Sequence, residues 1–228
     1  MLKSILFDLD NTLIDFLTFK KETAKAAAKA MVAHGLKMSE TEAYGKIFSV
    51  YDEKGIEYQK TFFEVLKPLG LDINQAEKIQ QAAIIAYLKR KFEVLRPYPM
   101  VKPTLSRLRT LDPKLRFGIV TDAPRNKAWQ RLVLSGLENE FDFVITLDDT
   151  LNRKPHPTPF KLAIEILDMS ASEILFVGDN PDADIKGAKD AGMKTCLAAY
   201  GQWKKSEQKA DFTIQRFSEL EGIVEKLL

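Results

Sequence analysis

Apolar residues follow two rhythms along this chain. Short unbroken runs, among them Ile5-Leu6-Phe7, Phe117-Gly118-Ile119-Val120 and Ile174-Leu175-Phe176-Val177, end abruptly at polar or charged positions. Runs of that length without alternation suit strands buried on both faces, as in a parallel sheet. They predict strands over residues 4–9, 116–121, 143–146 and 173–177, with a weaker fifth over 194–197. The intervening stretches 126–134, 158–167 and 182–191 carry apolar residues at helical spacing, and Gly136 and Gly192 stand where helices stop. Strand alternating with helix predicts an α/β fold built on a doubly wound parallel sheet.

The alternation lapses between the first two strands. Residues 16–96 contain no convincing strand and predict an all-helical insert. Its first helix covers 17–33 and stops near Gly35; Ser39 with Glu42 forms a capping box for the second; the third spans 57–67; Asn74 with Glu77 marks the start of the fourth. Pro97-Tyr98-Pro99 is a stiff re-entry. The expected organisation is a core domain of 1–15 and 97–228 interrupted by a helical domain of 16–96. Ser218 with Glu221 predicts a final helix over 218–228.

Composition narrows the chemistry. The 228 residues are 45% hydrophobic and 29% charged, an ordinary globular balance, and 34 Lys and Arg against 32 Asp and Glu leave a net charge of only +2. No whole-molecule field favours a polyanion, and Lys89-Arg90-Lys91 reads as a solvated helix face, so no nucleic-acid partner is expected. A single cysteine, Cys196, rules out an internal disulfide, and with two histidines, His34 and His156, a Cys/His zinc site lacks ligands. Any metal must rely on oxygen. Asp8 and Asp10 interrupt the apolar start, and the longest apolar run, residues 82–88, is far short of the ~20 needed to span a bilayer. The expectation is a cytoplasmic protein without a membrane partner, with a monomer favoured.

Ligands of open parallel sheets bind beyond the carboxyl ends of the strands. The first strand ends in Asp8 and Asp10, the second in Thr121 and Asp122, and the strand from residue 173 in Gly178-Asp179, followed by Asp182 and Asp184. Taken singly, each is an ordinary turn or cap residue. Gathered at one edge, the carboxylates repel unless a cation lies among them, which points to Mg²⁺. Lys154, in Arg153-Lys154-Pro155-His156-Pro157, is the candidate positive partner.

These residues, in this order, resemble the haloacid dehalogenase-like hydrolase superfamily. Asp8-Leu9-Asp10-Asn11-Thr12 is similar to its first motif, Thr121 to its second, Lys154 to its third, and Gly178-Asp179 with Asp184 to its fourth; the likeness runs almost continuously from Lys154 to Met193 and covers the sheet domain. The insert resembles a C1-type cap by position and helicity. The resemblance implies a Mg²⁺-dependent phosphatase acting on a small phosphorylated metabolite. Asp8 would be the nucleophile and carry an aspartyl-phosphate; Asp10 would serve as general acid and base; Thr121 and Lys154 would bind phosphoryl oxygens. Asp8, Asp179 and the backbone carbonyl of Asp10 would hold Mg²⁺, with Asp184 in support. Substrate choice would fall to insert residues such as Phe16, Phe19 and Lys20.

Sugar-phosphate mutases share the two aspartates and are the main alternative. Asp10 argues against 2-haloacid dehalogenases and phosphonate hydrolases, which lack an acid there, and the full set of polar residues argues against a non-catalytic module. Asp122 departs from the Asn or Ser frequent after the second-motif Thr and is expected to cap the helix that follows it.

Overall fold

The computed structural model describes residues 1–203 and 205–228, which divide into two compact units, Met1–Asp15 with Arg96–Leu228 and Phe16–Leu95. In the first unit six parallel strands form one sheet: β1 (Ser4–Phe7), β2 (Arg116–Val120), β3 (Phe143–Ile145), β4 (Ile174–Gly178), β5 (Lys194–Ala198) and β6 (Phe212–Ile214), in the order β3-β2-β1-β4-β5-β6. The order reverses beside β1, which pairs with β2 on one side (Phe7 opposite Ile119) and β4 on the other (Phe7 opposite Val177). The carboxyl end of β1 is therefore the switch point at which ligands of such sheets bind.

Every residue of β1 and β4 is buried, which explains their continuous apolar character. Phe160, Ala163, Phe176 and Ala188 form part of the core over one region of the sheet. β6 goes unpredicted because only three residues of an edge strand are involved. Helix α5 (Val101–Leu111) also goes unpredicted, although Val101, Leu105 and Leu108 form its buried row. The predicted capping box at Ser218 does not form: residues 217–219 make a 3₁₀ turn, and the last helix, Leu220–Leu227, begins after Glu219 without a side-chain cap.

The second unit is helical: α1 (Phe16–Ala33), α2 (Glu40–Lys54), α3 (Thr61–Leu66) and α4 (Ile73–Val94). Small residues on α1, Ala24, Ala27 and Ala28, let its neighbours approach closely, and Met31, Ile47, Val50, Leu66 and Ile79 complete the core. The Ser39–Glu42 capping box is present on α2. On α4 the cap is Asp72, whose carboxylate accepts the N–H groups of Asn74 and Gln75, so the helix starts before the predicted Asn74. Among the described residues no helix is long and apolar enough to cross a membrane.

Candidate active site

Asp8 follows the last residue of β1, and its N–H continues the sheet by donating to Val177 O at 2.9 Å. The chain then turns back. Asn11 takes a left-handed conformation (φ 59°), which a short polar side chain tolerates, and its N–H donates to Ile14 O at 2.7 Å. This turn buries Thr12, whose hydroxyl lies 3.3 Å from Asp179 Oδ1. Just past the end of β2, Thr121 is buried, and its Oγ1 accepts the Ala123 N–H at 3.2 Å.

After β4 the Asn180 side chain caps the N–H groups of Asp182 and Ala183, opening a π-helical turn, Pro181–Ile185. Such wide turns re-aim side chains and recur at functional sites. Here the turn brings Asp184 back towards the strand end, where its Oδ2 accepts the Asn180 N–H at 3.0 Å. A Cβ at position 178 would lie 2.5 Å from that carboxyl group, so Gly178 is required by the approach of Asp184.

The elements converge on Lys154. Its ammonium is buried and donates to Asp8 Oδ1 at 2.5 Å and Val120 O at 2.9 Å, and lies 2.7 Å from Asp184 Oδ1. Carboxylate oxygens of Asp8, Asp179 and Asp184 lie within 4.8 Å of one another. One ammonium thus faces three buried carboxylates. Burial pushes the Asp8 carboxyl up to about 8; Lys154 opposes the rise, while Asp184 and Asp10 add to it. Asp179 is also held well above the carboxylate range, by burial first and then by Asp8 and Asp184. Burial works against the charge on Lys154, yet Asp184, Asp8 and Asp122 outweigh it and hold the ammonium above its usual range. The surplus negative charge and the oxygen-only donors fit a hard divalent cation.

Asp8, Asp179, Asp184 and Lys154 are therefore brought together, with Thr121 at the neighbouring strand end. The Asp10 side chain takes a different direction: its Oδ2 lies 2.5 Å from Nη1 of Arg131, on the helix α6 (Arg125–Ser135). Nothing in the sequence singled out Arg131. Its only signal was a charged residue in a buried helical row, between Ala128 and Leu132. Asp122 does not cap α6, which has no side-chain cap. Its Oδ1 instead accepts the backbone N–H of Lys154 at 3.0 Å, and its carbonyl accepts from Arg153 Nη1 at 3.2 Å, fastening the lysine loop to β2. Phe16, Phe19 and Lys20 are buried; the Lys20 ammonium donates to Ile56 O at 2.7 Å and stands 4.4 Å from the Tyr51 ring centroid.

Known proteins share this arrangement of sequence and fold. Residues 5–198 match the family described as haloacid dehalogenase-like hydrolase. A glyceraldehyde 3-phosphate phosphatase from Methanocaldococcus jannaschii is 36% identical over 100% of this chain and 99% of its own. A phosphoglycolate phosphatase from Aquifex aeolicus is 33% identical, over 96% of this chain and 95% of its own. Among solved structures, a HAD phosphatase from Thermococcus onnurineus matches with a TM-score of 0.68 and 28% identity, covering 98% of each chain.

Proposed function

The chain belongs to the haloacid dehalogenase-like hydrolases, and from that premise we propose that it is a metal-assisted phosphatase in which Asp8 is the nucleophile. Phosphatase activity accords with relatives of that name aligned along nearly the whole chain. The observation that carries the assignment of Asp8 is its position: it directly follows the central strand and is held by the Lys154 ammonium within a cluster of three carboxylates.

In the proposed sequence a carboxylate oxygen of Asp8 attacks phosphorus, forming an aspartyl-phosphate as the ester P–O bond breaks. Asp10 gives a proton to the departing oxygen, then accepts one from the water that attacks the phosphoenzyme; phosphate leaves and the Asp8 carboxylate is restored. Lys154 orients Asp8 and, with Thr121, offsets charge on the phosphoryl oxygens, since phosphoryl transfer depends mainly on positioning and charge stabilisation. Asp8, Asp179 and the backbone carbonyl of Asp10 would hold Mg²⁺, which when bound supplies positive charge to the phosphoryl group. Asp184 keeps Lys154 in place, and Asp122 does the same through the lysine's backbone.

The proposed substrate is a small phosphate monoester in the cytoplasm, the class named for the relatives from Methanocaldococcus jannaschii and Aquifex aeolicus. The helical unit, which leaves the chain after Asp15 and rejoins it at Arg96, is proposed to select among such esters. Turnover of p-nitrophenyl phosphate with Mg²⁺, with EDTA as control, tests the core of this reading. Activity that needs the metal is expected, and equal turnover in EDTA would overturn the metal-assisted mechanism. A panel of phosphorylated metabolites then ranks substrates.

A further inference from the structure

Arg131 is the one charged side chain in the buried row of α6, where Ala128 and Leu132 are its apolar neighbours. A leucine there would pack as part of the same face. Burying a guanidinium costs desolvation, and a buried ion pair is often no more stabilising than apolar residues of similar volume. Stability alone does not account for the arginine. Its Nη1 lies 2.5 Å from Asp10 Oδ2, and the two side chains are only 5% and 22% exposed.

Asp10 lies two residues beyond Asp8, past the end of β1. It sits on a tight turn just before left-handed Asn11, and χ2 of an aspartate is broad, so rotamer preference does not set the plane of its carboxyl group. A planar guanidinium supplies that direction, from a rigid helix that follows the neighbouring strand β2. We propose that Arg131 is a positioning residue that fixes the orientation from which Asp10 serves as acid and base. The inference rests on the reading of Asp10 given above. Arg131 itself contributes no proton and forms no bond to phosphorus.

The test compares wild type, Arg131→Gln, Arg131→Lys, Asp10→Asn and the double variant Asp10→Asn/Arg131→Gln. Each is assayed with Mg²⁺ on p-nitrophenyl phosphate and on an alkyl phosphate that wild type hydrolyses, with the phosphorylation step resolved by rapid mixing. Loss of an aligned acid should lower phosphorylation by the alkyl ester by about 10- to 100-fold in Arg131→Gln. Phosphorylation by p-nitrophenyl phosphate, whose leaving group needs no acid, should change by less than about 3-fold. KM and the Mg²⁺ concentration for half-maximal activity should stay the same, Arg131→Lys should recover part of the loss, and adding Arg131→Gln to Asp10→Asn should cost nothing further. Equal losses for both esters, full additivity with Asp10→Asn, or a raised KM with unchanged kcat would overturn the positioning role, the last by making Arg131 a substrate contact. If Asp10→Asn itself loses both esters equally in phosphorylation, the acid role of Asp10 fails first. If it shows the leaving-group dependence and Arg131→Gln does not, only the inference about Arg131 fails.

Discussion

Five charged side chains of the sheet unit are buried, Asp8, Arg131, Lys154, Asp179 and Asp184, whereas in the helical unit Lys20 is the one buried charge among the described residues. The contacts of the two buried lysines show what surrounds that charge. The Lys20 ammonium meets the Ile56 carbonyl, the Tyr87 hydroxyl at 3.4 Å and the Tyr51 ring. Carbonyl and hydroxyl dipoles and ring faces all stabilise a cation. Around Lys154 three carboxylates compete for one ammonium, an arrangement that needs a proton or a metal to be neutral. Crowded like charge therefore concentrates at the strand ends.

Breaking the sheet cluster at its centre should have the largest effect. Asp8→Asn should reduce turnover of every phosphate ester to background, because an amide does not attack phosphorus. It should leave the melting temperature of the metal-free protein equal or higher, since it removes one of three crowded carboxylates. Parallel assays of turnover and thermal unfolding check both halves; retained activity would falsify the nucleophile assignment.

Removing the shared cation tests the charge balance. Lys154→Met should lose most activity and destabilise by about 3–5 kcal/mol, the usual cost of leaving one side of a buried ion pair without its partner. Urea unfolding reads the loss. A change below about 1 kcal/mol would mean that the carboxylates are relieved by other means.

Glycine 178 sharpens the same comparison through sterics. Gly178→Ala puts a methyl group where Asp184 already lies 2.5 Å away. About 1–3 kcal/mol of stability should be lost to overpacking. More Mg²⁺ should also be needed for half-maximal activity, and unaltered metal dependence would separate Asp184 from the metal-binding cluster.

Acidity gives a smaller but signed effect. Asp8 is raised from 3.8 to about 8 in the folded, metal-free protein. Between those values the folded state keeps a proton that the unfolded chain releases, so stability in EDTA should fall as pH rises from about 4 to about 8. Asp179, shifted the same way, adds slope of the same sign. The raised Lys154 acts above that window. Melting curves across pH should show Asp8→Asn with a flatter profile than wild type; identical slopes would assign the pH dependence elsewhere.

Least should happen in the helical unit. Lys20→Met should alter p-nitrophenyl phosphate turnover by less than about 3-fold while changing the ranking of natural esters, because a small activated ester uses few distant contacts. A large loss with p-nitrophenyl phosphate would give Lys20 a part in the chemistry and erase the contrast between the units.

Legibility in the sequence divides along similar lines. β1, β2 and β4 stand out because strands buried on both faces must be continuously apolar, and their terminal Asp and Thr residues locate the switch point. The helix α6 announces itself by spacing and by its stop at Gly136, and Pro157–Leu167 by spacing alone, since its left-handed end at Asp168 is a weaker signal than Gly. β6 escapes because three residues on an edge carry too little pattern. Local cap rules pick Asn74 and Ser218, but Asp72 lies closer to the free N–H groups of α4, and a 3₁₀ turn displaces the Ser218 start. The Asp10–Arg131 pair, the anchoring of Lys154 by Asp122 and the aromatic surroundings of Lys20 join residues far apart in the chain, so no local pattern encodes them.

The central claim is that Asp8 at the end of β1 accepts the phosphoryl group. Acid quenching of the Mg²⁺-loaded enzyme during turnover of p-nitrophenyl phosphate, followed by peptide mapping, tests it most directly. The account predicts one phosphoryl group on the peptide containing Asp8, absent from Asp8→Asn. A phosphoryl group on another residue, or steady turnover by Asp8→Asn with the same product, would contradict it.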